Sequence, residues 1–278
     1  MSKLFKNYPL PAFFLLAFFF SWASWSLLIA TTPPGKMMET GPSPAFLAIA
    51  LLGGMGPSLA GMAMAGLLEG KAGLRGLLSG LTRPQGGLRW YLVSLFTVPL
   101  LSLAVLGLFY LLHHSLPLGD LRSRLGLGLT WPLFSSLGEE LGWRGFALPR
   151  LQQRFKPAGS ALAIGLLWGV WHLPADYLGI GNQGLLFILN FVILGPVMLT
   201  GFSVLMTWVY NRTKGDLLAM VLFHYSITFS AIVLTVPGLA GTEGVQFNLL
   251  SAAAVWVAAG WALVRMAKAS QDRKEAGT

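Results

Sequence analysis

Two carboxylates and a guanidinium stand close together in the run Ser135-Ser136-Leu137-Gly138-Glu139-Glu140-Leu141-Gly142-Trp143-Arg144-Gly145, inside a longer apolar stretch. Helical spacing sorts them. Glu140 and Arg144 are four residues apart, share a face and can pair. Glu139 is rotated about 100° from Glu140 and aims elsewhere. One carboxylate is thereby neutralised and its neighbour left available. Two imidazoles occur in comparable apolar surroundings, His172 in Leu167-Trp168-Gly169-Val170-Trp171-His172 and His224 in Leu222-Phe223-His224-Tyr225. A carboxylate and two imidazoles around a wet pocket can activate water. The carboxylate takes a proton, one imidazole orients the water or passes the proton on, and a second imidazole with a hydroxyl donates to the oxyanion of a tetrahedral intermediate. Thr228, one turn beyond His224 on the same face, can supply that hydroxyl. The reaction class is hydrolysis of an acyl bond, with a peptide bond the natural choice. Glu139, His172 and His224 can equally bind a divalent metal such as zinc, with an open position for water. His-Glu-x-x-His is absent, so no single helix presents two His ligands.

The elements that must position these residues are membrane helices. Of the 278 residues 55% are hydrophobic and only 10% charged, and the mean hydropathy is +0.67. Soluble domains carry about 25% charged residues, so the expected fold class is all-α, a polytopic transmembrane helical bundle. Eight spans are predicted: Leu10–Ala30, Pro44–Leu68, Trp90–Leu112, Leu127–Leu148, Gly159–Leu178, Gly184–Tyr210, Asp216–Val236 and Phe247–Met266. Each is long enough to cross about 30 Å of hydrocarbon at about 1.5 Å per residue. Their continuous apolarity excludes barrel strands, which alternate. The first follows Lys3 and Lys6 and is too long for a signal peptide's apolar region, so a retained helix is expected.

Basic residues set the orientation. Fifteen of the 19 Lys and Arg fall in alternate loops and ends, while the opposite loops hold Lys36, Arg122 and Arg124, and Arg144 lies inside a span. This bias places both termini in the cytoplasm. It also accounts for the net charge of +9 without nucleic acid. No cysteine is present, so disulfides, thiol nucleophiles and Cys-based zinc sites are excluded. Measured along their spans from the cytoplasmic ends, Glu139, His172 and His224 lie about 16, 20 and 12 Å deep, at one level of the bilayer. His113 and His114 end a span beside a polar loop and are given no role. Asn190 is expected to pair with a neighbouring helix. Gly53, Gly54, Gly56, Gly61, Ala65 and Gly66 mark the second span as a close-packing surface.

With the residues in place, Glu139-Glu140-x-x-x-Arg144, an aromatic-x-x-x-His ending at His172, and His224-x-x-x-Thr228 resemble the three ordered motifs of the CPBP (or ABI) intramembrane endopeptidases. That family includes CAAX prenyl endopeptidases and bacteriocin self-immunity proteins. Gly56-Pro57 also resembles a family feature. The resemblance implies that Glu139 is the general base supported by Glu140 and Arg144, that His172 positions the water, and that His224 and Thr228 stabilise the oxyanion. It implies either a metalloprotease or a metal-free glutamate mechanism, with no cofactor required by the sequence itself. Two positions depart from the family's pattern. Trp168 stands where Phe is usual, and Thr228 where the prenyl-protein enzymes have Asn. A hydroxyl reaches less far than an amide, which weakens the expectation of equally strong oxyanion binding and of that substrate subgroup.

The expected protein is a single integral membrane domain over residues 1–278, with a catalytic core at about 127–236 and a short cytoplasmic tail at 267–278. Its expected partners are a membrane-associated peptide or protein substrate and the lipid bilayer of the cell membrane, and no nucleic acid. A non-catalytic membrane binding or scaffold protein is the first alternative. A proton-coupled transporter is the second, disfavoured because no internal repeat is visible.

Overall fold

The computed structural model describes residues 2–32, 43–116, 118–180, 184–236, 239 and 241–275. In chain order the helices are α1 (Ser2–Asn7), α2 (Pro9–Thr31), α3 (Pro44–Gly54), α4 (Gly56–Thr82), α5 (Leu88–His113) and α6 (Leu121–Glu140). The last continues without a break through a π-helical stretch, π1 (Leu141–Ala147), into α7 (Leu148–Gln152). There follow α8 (Pro157–Trp171), α9 (Leu173–Ile180) and α10 (Leu185–Val192), then a second π-helical stretch, π2 (Ile193–Leu199), and finally α11 (Thr200–Arg212), α12 (Leu217–Val233) and α13 (Gly241–Glu275). The described residues form no strand. The protein is an all-α polytopic bundle, as its composition requires.

Every one of the eight predicted spans falls on helix. Among the described residues four helices are long and apolar enough to cross a membrane, or six when the two bent pairs, α3 with α4 (48°) and α8 with α9 (44°), each count once. The two predicted spans outside that set have evident reasons. α12 has only 17 residues, and α6 with π1 carries Arg122, Arg124, Glu139, Glu140 and Arg144. The second span does not stop at Leu68. Its helix continues to Thr82 across a break at Gly70, whose φ of 63° and ψ of −151° leave the helical region and suit only glycine. The C-terminal tail is helical as far as Glu275, and Lys36 lies outside the described residues.

Lipid-facing and core-facing surfaces separate clearly. Leu15, Phe19, Leu100 and Val257 point outward, whereas Phe13, Trp143, Trp168, Val204 and Phe223 are buried. α2 is part of the core, with the ring of Phe13 edge-on to that of Trp143. Close approach between helices depends on glycine. A Cβ on Gly142 would lie 2.2 Å from the Pro57 carbonyl oxygen, which fixes π1 against α4. A Cβ on Gly169 would lie 2.5 Å from Pro196, which fixes α8 against π2. In the second span Gly53, Gly56 and Gly61 do meet neighbours, while Gly54 and Gly66 face open space.

Two polar anchors hold the ends of α12. At its start Asp216 is the N-cap and accepts from the Ala219 backbone at 3.1 Å. Its other oxygen accepts from the backbone of Gln85 (2.6 Å) and Gly86 (2.7 Å) and from the Tyr91 hydroxyl (2.7 Å), so it also ties down the turn before α5. Burial pushes this carboxyl up, but the hydrogen bonds from Tyr91, Gln85, Gly86 and Ala219 outweigh it and hold Asp216 below the ordinary carboxylate range. At the far end Arg124 donates to the carbonyls of Ile232, Val233, Thr235 and Leu118, satisfying carbonyls that the end of α12 leaves free. Arg124 was expected as a loop charge; it is instead a helix clasp. Asn190 pairs with α13 as expected, accepting from Asn248 Nδ2 at 2.8 Å. His113 stacks on Phe109 at 4.2 Å, and His114 ends α5 in the left-handed region at φ 52°.

Candidate active site

α6, α8 and α12 bring the expected residues together. α6 packs along α12, and π1 lies against α4. π-Helical turns widen the helix and recur at functional sites. Here the widened turn begins directly after Glu140 and carries Arg144. Arg144 Nη1 still reaches Glu140 Oε1 at 2.9 Å, with both side chains fully buried. The guanidinium lies over the Trp168 ring, 4.6 Å from its centroid, a favourable cation–π geometry. Glu140 Oε2 and Arg144 Nε and Nη2 have no hydrogen-bond partner among the described residues.

The same Glu140 oxygen accepts from His224 Nδ1 at 2.7 Å. An ionised carboxylate only accepts, so Nδ1 carries the proton there. The ring is thereby turned so that Nε2 faces Glu139 Oε1 at 3.7 Å, too far for a direct hydrogen bond and within the range one water can bridge from the side. Glu139 is not wholly free, as helical spacing alone suggested. Its Oε2 accepts from the indole N–H of Trp168 at 2.6 Å and of Trp143 at 3.3 Å. The two donors leave Oε1 as the oxygen turned to His224. His172 ends α8 at the bend into α9. Its Nδ1 donates to the Trp168 carbonyl at 3.0 Å, which leaves Nε2 of the neutral ring as an acceptor.

A cavity of about 360 Å³ adjoins this cluster, and His172, His224, Thr228, Trp168 and Asp176 line it. Glu139, Glu140 and Arg144 are not in its wall; Glu139, 3% exposed, lies behind Trp168 and His224. Thr228 shares a hydrogen bond with Ser135 Oγ at 3.3 Å, so its hydroxyl is held between α6 and α12. The arrangement presents a carboxylate oxygen, two imidazole nitrogens and a hydroxyl at one end of a mainly apolar chamber.

As a metal centre the set fits less well. Among the described residues no three His, Cys, Asp or Glu side chains stand close enough to hold an ion. One oxygen of Glu139 already accepts two indole N–H groups, and indole offers no lone pair to a metal.

Three participants escaped the sequence reading. Trp143 lies four residues after Glu139, and Asp176 four after His172; the spacing that paired Glu140 with Arg144 points to both. Trp168 was read as the apolar first residue of its motif, whereas its indole N–H is the closest donor to Glu139. Nothing local in the sequence announces that contact, because it crosses from α8 to α6.

Residues 121–230 match the family model described as Type II CAAX prenyl endopeptidase Rce1-like. Among characterised proteins, CAAX prenyl protease 2 of Methanococcus maripaludis is 26% identical over 110 residues, which is 37% of this chain and 39% of that relative. The match thus spans about two fifths of the relative's length. The family-model match begins at the first residue of α6 and ends inside α12, so all six expected site residues lie within it. The resemblance carried by the three motifs is borne out: the centre of this chain is CAAX-protease-like.

Proposed function

We propose that this CAAX-protease-like chain is an intramembrane endopeptidase that hydrolyses a peptide bond of a membrane-associated peptide or protein. The observation that carries the reading is the facing of Glu139 Oε1 and His224 Nε2, 3.7 Å apart, beside a cavity lined by His172 and Thr228.

In this mechanism Glu139 Oε1 takes a proton from a water that His172 Nε2 orients. The resulting hydroxide adds to the scissile carbonyl carbon, and the carbonyl electron pair moves to oxygen. His224 Nε2–H and the Thr228 hydroxyl donate to that oxyanion. Donation at Nε2 while Nδ1 donates to Glu140 requires both ring protons, and Glu140 offsets the resulting charge. Arg144 in turn holds Glu140 in place. When the intermediate collapses, the proton on Glu139 passes to the departing amine, which restores the base.

Glu139→Ala should abolish cleavage of a membrane-peptide substrate while the protein still folds, and wild-type turnover by that variant sinks the mechanism. His172→Ala and His224→Ala should each cost about 100-fold or more in rate. A metal version would use Glu139, His172 and His224 as ligands and would require them to draw together, because among the described residues no three such side chains stand close enough to hold an ion. Elemental analysis of active protein, with activity measured after chelation, separates the versions. Activity that survives in metal-free protein supports the glutamate mechanism, and loss restored by zinc supports the metal. The proposed setting is the cell membrane, with the site nearer the side that carries the basic loops.

A further inference from the structure

The cavity beside the site has three titratable side chains in its wall, His172, Asp176 and His224, and neither Lys nor Arg among its lining residues. Asp176 is the one acid. It sits in the first turn of α9, and its backbone N–H donates to the His172 carbonyl at 2.8 Å. No hydrogen bond or ion pair to its carboxylate is formed among the described residues, and its electrostatic neighbour is His172. Much of the surrounding wall is apolar, including Val98, Leu101, Val105, Leu194 and Phe202. The guanidinium in the cluster behind, Arg144, is committed to Glu140.

An ionisable side chain at membrane depth calls for a partner, and the default partner is a charge of opposite sign. Among the described lining residues there is no Lys or Arg, and the two histidines are engaged elsewhere, His224 Nδ1 with Glu140 and His172 Nδ1 with the Trp168 carbonyl, so a permanent countercharge must come from what enters the cavity. We propose that Asp176 is a specificity-determining residue that selects substrates carrying a Lys or Arg side chain close to the cleaved bond and rejects those carrying an acidic one. The proposal rests on the endopeptidase reading of the same site. It also fixes a position. Four helical residues separate Asp176 from His172 by about 6 Å along the axis. An extended peptide covers that in about two residues, so the basic residue stands about two positions from the scissile bond. The competing role for Asp176 is to offset the positive end of the α9 dipole, which would act on all substrates alike.

The test uses full-length protein in lipid vesicles and a peptide series identical in its apolar residues, with Lys, Gln or Glu placed at each of three positions on either side of the bond. The wild type should favour Lys over Glu by at least about tenfold in kcat/KM. In Asp176→Asn that ratio should collapse toward one, and in Asp176→Lys it should invert. Because each ratio is taken within one variant, partial misfolding does not distort it. A Lys-over-Glu preference that persists in Asp176→Asn, or a wild type indifferent to charge, overturns the inference and leaves the endopeptidase reading standing. If the wild type cleaves nothing, that reading falls instead. Direct binding of the same peptides to Glu139→Ala protein, with and without Asp176→Asn, then decides the charge preference separately.

Discussion

Trp168 touches four of the six expected site residues. Its N–H donates to Glu139, its ring faces Arg144, its carbonyl accepts from His172, and its ring centroid is 5.2 Å from that of His224. Trp168→Phe keeps an aromatic ring but removes the donor and leaves a void at a fully buried position. The expected result is a fall of about tenfold or more in kcat, the scale of one hydrogen bond to a charged group, together with a lower unfolding temperature from the void. An indole N–H resonance that disappears in Trp168→Phe and moves in Glu139→Gln would report the same bond by NMR, and an unchanged kcat would remove Trp168 from the mechanism. The contrast with Glu140 and Arg144 explains what was legible at this scale. Their pair obeys a one-helix rule, and a one-helix rule can be read from spacing. The Trp168–Glu139 contact depends on how α6 and α8 cross, which no local pattern encodes. Asp176, four residues after His172, obeys the same one-helix rule.

At the scale of elements, the positions of all eight predicted helices were legible because lipid demands long apolar runs. Breaks and ends were not. The bend between Gly54 and Gly56 and the bend at His172 interrupt runs whose hydropathy continues across them. The expected seventh span began at Asp216, which the structure sets outside the helix as its cap. Asp216→Ala would strand the backbone donors of Gln85, Gly86 and Ala219 and the Tyr91 hydroxyl. It should cost about 2 kcal/mol or more, read as a lower unfolding temperature in detergent. Because the folded carboxyl is held below its unfolded value of about 3.9, its contribution is complete above that pH and is lost as pH falls through the lower folded value. Wild type and Asp216→Ala should therefore differ by a constant amount near neutrality and converge only in acid. A difference that varies between pH 6 and 8 would contradict this assignment.

For the whole molecule, the orientation expected from the basic residues is directly measurable, because the chain has no cysteine of its own. Single cysteines placed at Gln153 and Asn211 should react with an impermeant thiol reagent only from the cytoplasmic side. Cysteines at Ser123 and Thr242 should react only from the opposite side. All four residues are exposed. Labelling of Gln153→Cys and Ser123→Cys from one side would mean that α6 with π1 does not cross.

That segment has a further consequence, for biogenesis. α6 with π1 is less apolar than the six other spans, and on the expected orientation it carries Glu139, Glu140 and Arg144 into the bilayer. At about 2.5–3.5 kcal/mol per charge, its unaided insertion is opposed by roughly 8–10 kcal/mol, reduced by whatever the Glu140–Arg144 pair recovers. The indole and imidazole that complete the cluster arrive later in synthesis, on α8 and α12. An isolated segment 121–152 in a host protein should therefore insert poorly by glycosylation mapping, and replacing the three charges with Leu should restore insertion. Equal insertion of the two would refute the argument. On this account the ribosome delivers the charged helix before its partners exist, and the translocation machinery must hold it at the membrane edge until they emerge.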